Sequence, residues 1–180
     1  RNFEYFGEDP FVAGTMSVAE IKAIQAKGMI GMAKHYVGNE QETNRTTIQT
    51  TVDSQQLREL YLLPFEMSVK DGKVGSIMCA YNYVNNKPSC ESKELLTDVL
   101  RTDWGFSGYV QSDFFATKTT VGPMAAGMDF MMPMPQQWAP AQLNAAIASG
   151  TITVAQIDKA LERRYTQMFK YGIFDRPIQQ

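Results

Sequence analysis

Three short apolar segments constrain the fold of this chain most strongly. The stretches "GMIGMAKHYV", "VGSIMCAY" and "GYVQS" are apolar over most of their length instead of alternating with polar residues, and a helix or helical turn follows each. Strands that are apolar on both faces and alternate with helices are typical of a parallel sheet covered by helices. We therefore predict an α/β fold, either a doubly wound sheet or a barrel of the (β/α)8 type.

Capping residues indicate where the helices begin and end. The capping box "SVAE" predicts a helix start at Ser17, Asp53 predicts a second, and the box beginning at Thr153 predicts the last. Pro64 is expected to kink the second helix, because proline lacks a backbone donor. Gly105 is a plausible C-cap of the third helix, "SKELLTDVLRTDWG".

The length of the chain bears on the choice between the two α/β folds. No glycine-rich fingerprint follows a predicted strand, which disfavours the dinucleotide-binding form of the doubly wound sheet. A complete (β/α)8 barrel needs about 250 residues, whereas this chain has 180 and contains four or five strand candidates. If the fold is a barrel, it is a partial barrel whose open strand edges are completed by segments outside this chain.

Composition excludes several functional classes. The net charge is -2 and no apolar run approaches the length of a membrane span, so we expect neither a nucleic-acid partner nor a membrane partner. Two cysteines and a single histidine match no zinc pattern, and we expect no metal and no cofactor. The chain opens on Arg1 without an initiator methionine, and we expect the true N-terminus to lie upstream.

Polar side chains stand where three of the predicted strands end. These residues are Lys34 and His35, Tyr81 and Asn82, and Asp113. Because the carboxyl ends of parallel strands face one rim, groups that are distant in sequence converge there and can build a site.

Asp113 is the carboxylate of this set, and two interpretations of it are open. A cation nearby, such as Lys34 or Arg1, would favour its charged form, which a nucleophile requires. Taken without further context, an aspartate between a strand and a helix is more often a helix N-cap.

Five motifs occur in an order and spacing that resemble glycoside hydrolase family 3, the β-glucosidases and β-xylosidases. They are "RNFEYFGEDP", "KHYVGNEQETNR", "SIMCAYNYVNNKP", "LRTDWGFSGYVQSDFF" and "AGMDFMMP". The resemblance implies a retaining, exo-acting β-glucosidase, with a β-xylosidase as the alternative, that acts on a β-glucoside or a short β-linked oligosaccharide. It also implies that residues 1–177 are the C-terminal portion of a catalytic barrel domain and that residues 178–180 begin a linker to a second domain.

The resemblance assigns a role to seven residues. It places the catalytic nucleophile at Asp113 and groups that hold the hydroxyls of the first-subsite sugar at Arg1, Lys34 and His35. Met78 and Tyr81 match residues that line this subsite. Phe114 replaces the tryptophan that follows the nucleophile in the family, which keeps an aromatic wall but removes the indole N–H donor.

The acid that protonates the leaving group is expected to come from outside this chain. In the β-glucosidase branch of the family it is a glutamate of the second domain, so another chain or segment would supply it. A branch that uses a second histidine of a "KHFPGHG"-like loop is disfavoured, because His35 is the only histidine. Glu40 and Glu42 are internal candidates for the acid.

Other interpretations of the same residues remain open. Without an acid, the chain could act as a non-catalytic sugar-binding fragment. A barrel that uses Lys34 as a Schiff base is disfavoured, because nearby carboxylates would keep this lysine charged. Cys79 and Cys90 have a separation seen in secreted relatives, and a disulfide between them is left open. We expect a secreted or periplasmic protein whose targeting segment is not in this chain.

Overall fold

The computed structural model describes residues 4–177 and confirms the predicted α/β fold. Its main sheet has three parallel strands, which are named next in their order across the sheet. These strands are β1 (Met32–Tyr36), β3 (Ser76–Cys79) and β6 (Tyr109–Ser112). All three correspond to the apolar segments singled out in the sequence. Gln111 of β6 also forms a parallel bridge with Phe130, inside the "AGMDFMMP" motif.

Helices and helical turns connect and flank these strands. In chain order they are α1 (Pro10–Ala26), α2 (Ser54–Gln56), a π-helical segment (Leu57–Leu62), α3 (Leu63–Lys70), a 3-10 turn (Ser89–Glu91), a π-helix (Glu94–Asp103), α4 (Val121–Ala126), α5 (Pro140–Ala148) and α6 (Val154–Lys170). The second helix is irregular just before Pro64, where the π-helical segment meets α3, in keeping with the expected kink.

A second, small sheet was not predicted from the sequence. It contains β2 (Gln49–Thr50), β4 (Tyr83–Val84) and β5 (Lys87–Pro88) in that order. Strands β4 and β5 form a hairpin through Asn85 and Asn86, which both have positive φ. Strands of two residues have no periodicity that a sequence pattern could reveal.

Two expectations about chain positions were wrong. The first helix begins at Pro10 with Asp9 as its N-cap, whose side chain accepts a hydrogen bond from the Val12 N–H. Ser17 lies inside that helix, and its hydroxyl bonds the Ser68 hydroxyl of α3 at 2.8 Å. Lys34 and His35 both lie within β1 and do not follow it. The serine of "SVAE" therefore serves helix packing and not capping.

The other predicted helix ends are confirmed. Asp53 caps α2 by accepting the Gln56 N–H at 2.9 Å, and Thr153 forms a capping box at the start of α6. Gly105 follows the π-helix with φ +71°, a left-handed conformation that glycine adopts without steric cost.

The core lies between the main sheet and its helices. Ile77 of β3 and Val110 of β6 are fully buried there, together with Leu96 and Leu100 of the π-helix. Met128 belongs to the same core. Burying both faces of the central strands explains why they are apolar throughout.

Asp129 ties the last strand to two helices. Its side chain is fully buried, and one oxygen accepts the Val110 N–H at 2.7 Å and an Arg101 N–H at 2.6 Å. The other oxygen accepts an N–H of Arg163 at 3.1 Å. Burial raises the pKa of Asp129, and the two arginines and the Val110 N–H oppose that rise. This network anchors β6, the strand that leads to Asp113.

Candidate active site

Asp113 directly follows β6 and is fastened to the neighbouring strand end. Its backbone N–H donates to the Cys79 carbonyl at 3.1 Å, and its carboxylate Oδ1 accepts the Phe114 N–H at 2.7 Å. The next helix, α4, starts only at Val121. Asp113 caps no helix, so the N-cap interpretation is wrong.

The side chain of His35 lies close to Asp113. His35 belongs to β1, which is separated from β6 by β3. Its Nε2 atom is 3.6 Å from Asp113 Oδ2 and 3.7 Å from Glu4 Oε2, and the side chain is buried. Strands β1 and β6 both border β3, so their carboxyl ends converge as predicted. The imidazole thus lies between two carboxylates.

Lys34, next to His35 on β1, forms an ion pair with Glu4, one of the two carboxylates beside His35. The Nζ atom of Lys34 is 3.2 Å from Glu4 Oε1, and both side chains are more than a third exposed. Nothing in the local sequence pattern around Glu4 indicates that this residue lies at the end of β1.

Tyr81 joins the site from the end of β3. Burial and the neighbouring charge of Asp113, to which Tyr81 is hydrogen bonded, raise the pKa of Tyr81 to about 12. The phenol therefore keeps its proton and can donate to the carboxylate. The guanidinium of Arg45 lies 4.6 Å from the centre of the Tyr81 ring and forms a 2.8 Å ion pair with Glu42.

The remaining site residues lie around this centre or outside the described chain. Met78 is half-buried on β3, opposite Gln111 of β6. Phe114 is 49% exposed at the beginning of the loop after the nucleophile candidate. Arg1 lies outside residues 4–177, so its predicted role has no structural counterpart here.

A disulfide reinforces this rim. Cys79, the last residue of β3, is bonded to Cys90 in the 3-10 turn, with 5.1 Å between the two Cα atoms. The pairing that was left open is thus present in the structure. Because Cys79 also accepts the Asp113 N–H, the bond fixes a backbone group that holds the carboxylate.

A cavity of about 610 Å³ opens beside this site. Lys34 and Glu4 are among its lining residues, together with apolar side chains of α1 and α3, but Asp113 is not. Within residues 4–177 no helix is both long and apolar enough to cross a membrane.

The parallel strands and their covering helices define this chain as part of a (β/α)8-type barrel, with a carboxylate directly after one of its strands. The family described as "Glycosyl hydrolase family 3 N terminal domain" matches residues 1–166. The chain belongs to this family.

Named relatives agree with this assignment. Beta-glucosidase B of Emericella nidulans is 39% identical over 178 residues, which is 98% of this chain and 21% of that protein. A beta-glucosidase of Rhizobium radiobacter is 38% identical, covering 98% of this chain and 22% of the relative.

Solved structures are similar over nearly the whole chain. Beta-glucosidase 3B from Thermotoga neapolitana in complex with glucose has a TM-score of 0.91 and 36% identity, covering 97% of this chain and 26% of that chain. DesR, a beta-glucosidase from Streptomyces venezuelae in complex with D-glucose, has a TM-score of 0.89 and 40% identity, covering 99% and 24%. The chain spans about a fifth to a quarter of the length of these relatives.

Proposed function

We propose that this chain contributes the nucleophile half of the active site of a retaining, exo-acting β-glucosidase. The observation that carries this proposal is the position of Asp113, at the carboxyl end of β6 with His35 Nε2 at 3.6 Å and Tyr81 as a hydrogen-bond donor. Its support from the comparisons is that the relatives are named β-glucosidases and that two similar solved structures contain glucose.

Asp113 carries out the bond-forming step of the proposed reaction. A carboxylate oxygen attacks the anomeric carbon while an acid protonates the departing glycosidic oxygen, which leaves a glycosyl ester on Asp113. Water activated by the same acid/base group then cleaves the ester and restores the carboxylate. Since Oδ1 accepts the Phe114 N–H, we assign the attack to Oδ2, the oxygen beside His35.

The neighbours of Asp113 bind and orient the sugar in this proposal. Lys34, His35 and Arg1 hold the hydroxyls of the terminal glucose, and Met78, Tyr81 and Phe114 line its pocket. Tyr81 also keeps the carboxylate oriented, because its raised pKa leaves a proton to donate at any working pH.

The acid/base is proposed to come from a glutamate outside this chain. A retaining enzyme needs its two carboxyl groups about 5–5.5 Å apart. Glu42 is a weak candidate, because it forms an ion pair with Arg45. We further propose that residues 1–177 form the C-terminal portion of the barrel domain, that residues 178–180 begin the linker to a second domain, and that the whole protein is secreted or periplasmic.

Covalent trapping in the full-length protein tests this proposal. A 2-deoxy-2-fluoro-β-glucoside with a good leaving group should label wild-type protein, and peptide mass spectrometry should place the label on Asp113. The Asp113→Asn variant should show no label and no turnover of aryl β-glucosides. Asp103→Asn is the matched control, because Asp103 is an exposed partner of Arg58 remote from the site. A label on another carboxylate would contradict the assignment, and a higher kcat/KM for xylosides would favour the β-xylosidase alternative.

A further inference from the structure

The loop that follows the nucleophile candidate, residues 113–120, contains neither a helix nor a strand. Two phenylalanines at its start, Phe114 and Phe115, are 49% and 48% exposed, and Phe115 has a φ of +62°. Such a left-handed conformation is uncommon for a bulky residue and persists only when the surroundings impose it. The loop therefore depends on contacts from other elements to keep its shape.

The carboxylate of Glu91 makes several of these contacts. Its Oε1 accepts two consecutive backbone N–H groups, from Lys118 at 2.7 Å and from Thr119 at 2.8 Å. Its Oε2 accepts the Thr119 hydroxyl at 2.9 Å, and that hydroxyl in turn accepts the Gly122 N–H at 3.0 Å. A single carboxylate thus joins the end of the loop to the start of α4.

The glycine at position 122 belongs to the same arrangement. A Cβ atom at Gly122 would overlap the Glu91 carboxylate and the Thr119 hydroxyl. The close approach of backbone to carboxylate therefore requires glycine at this position.

The disulfide covalently connects the two groups that hold the ends of the loop through hydrogen bonds. At the first end, the Asp113 N–H donates to the carbonyl of Cys79. At the other end, Glu91 directly follows Cys90, which is bonded to Cys79. The group that holds Asp113 and the group that holds Lys118 and Thr119 are therefore parts of one cross-linked unit.

We propose that Glu91 is a positioning residue for the nucleophile. This inference rests on the proposed function of Asp113 and does not require Glu91 to touch the substrate. By holding the far end of residues 113–120, Glu91 keeps the aspartate at the end of β6 aimed at the anomeric carbon. Loss of this carboxylate leaves two backbone N–H groups and a hydroxyl without their charged acceptor, and the loop relaxes.

The size of the effect follows from how sharply attack depends on geometry. A displacement of about 1 Å at a reacting group can reduce the rate by roughly 100-fold. In the proposed function, Lys34, His35 and Arg1 hold the sugar hydroxyls, and none of these residues belongs to the loop that Glu91 holds. We therefore expect the covalent step to suffer much more than ground-state binding.

The test uses the full-length protein and three variants. Glu91→Ala should slow covalent labelling by a 2-fluoro glucoside by roughly 10- to 100-fold, while the inhibition constant of glucose stays within about threefold. Glu91→Gln should recover most of the rate, because its amide oxygen still accepts both N–H groups. Glu94→Ala is the matched control, since Glu94 is exposed on the neighbouring π-helix and should label at the wild-type rate.

A readout that is independent of catalysis accompanies the labelling. The amides of Lys118 and Thr119 should exchange hydrogen faster in Glu91→Ala than in wild type or Glu91→Gln. Wild-type labelling kinetics in Glu91→Ala would overturn the inference. It would also be overturned if Glu91→Gln were as slow as Glu91→Ala, or if glucose binding fell in proportion to labelling.

Failure of the underlying function would look different from failure of the positioning role. If wild-type protein takes no label while exchange at Lys118 and Thr119 still responds to Glu91→Ala, the nucleophile assignment is wrong and the catalytic role of Glu91 is overturned with it. If wild-type protein labels at Asp113 and exchange does not respond, only the inference about Glu91 is overturned.

Discussion

Replacing Arg101 by methionine should destabilise the protein far more than replacing Arg58 by methionine. Both arginines pair with an aspartate at similar distance, 2.6 Å for Arg101 and Asp129 and 2.8 Å for Arg58 and Asp103. Their exposure differs, however, because the buried pair has side chains 11% and 0% exposed and the other 49% and 45%. The comparison therefore contrasts a buried ion pair with an exposed one.

The buried position gives the larger expected effect. Breaking a buried ion pair by removing one partner costs about 3–5 kcal/mol, because the remaining charge stays desolvated. An exposed pair contributes about 0–1 kcal/mol. Arg101 also donates to the carbonyls of Gly108 and Gly127, both at 3.0 Å, so its removal leaves these acceptors without that donor. At about 2–4 °C per kcal/mol, the barrel transition should fall by roughly 6–20 °C.

The destabilisation should also depend on pH. Burial already raises the pKa of Asp129, and Arg101 opposes that rise. Without Arg101, the pKa of Asp129 in the folded protein rises further. A carboxyl group with a raised pKa in the folded protein lowers the stability of the fold as the pH increases above the pKa of the unfolded chain, which is near 4. The loss in Arg101→Met should therefore be larger at pH 8 than at pH 5.

Differential scanning calorimetry of the full-length variants at both pH values measures these quantities. Arg58→Met should shift the transition by a few degrees at most and show no comparable pH trend. Equal shifts in the two variants, or a larger loss for Arg101→Met at pH 5, would refute the reasoning.

Three further predictions concern the rim of the site. Tyr81→Phe should lower kcat/KM for aryl glucosides by roughly 10-fold or more, because a hydrogen bond to a charged acceptor contributes about 1.5–3 kcal/mol; unchanged steady-state kinetics would contradict the contact with Asp113. Peptide mapping without reductant should recover the Cys79 and Cys90 peptides linked, and the double alanine variant should lose about 2–4 kcal/mol of stability, visible as a lower Tm. Phe114→Ala should raise KM for aryl glucosides and Phe114→Trp should not; an unchanged KM in Phe114→Ala would contradict a contact between this half-exposed ring and the substrate.

The strands were the most predictable part of the fold. The three apolar runs are parallel strands of one sheet, because burial on both faces requires apolar residues throughout and leaves a continuous signal in the sequence. The capping residues Asp53 and Thr153 were equally easy to predict, because a capping side chain accepts a hydrogen bond from a backbone N–H only a few residues away.

Some local sequence patterns led to wrong predictions, because tertiary contacts give their residues a different role. Ser17 satisfies the capping-box pattern, yet helix α1 had already begun at Pro10, and the hydroxyl is used to pack against α3. The small sheet of β2, β4 and β5 escaped prediction because its strands are two residues long. Patterns of this length do not distinguish a strand from a turn.

The sequence by itself determined that a carboxylate, Asp113, ends a buried parallel strand, because strand burial and chain order are local properties. Only the tertiary structure decided which groups surround it. His35 approaches from the other side of β3, Glu4 takes the charge of Lys34, and Glu91 holds the loop after Asp113. These contacts join residues 25 or more positions apart, and their geometry depends on how strands and helices pack, which no local pattern encodes.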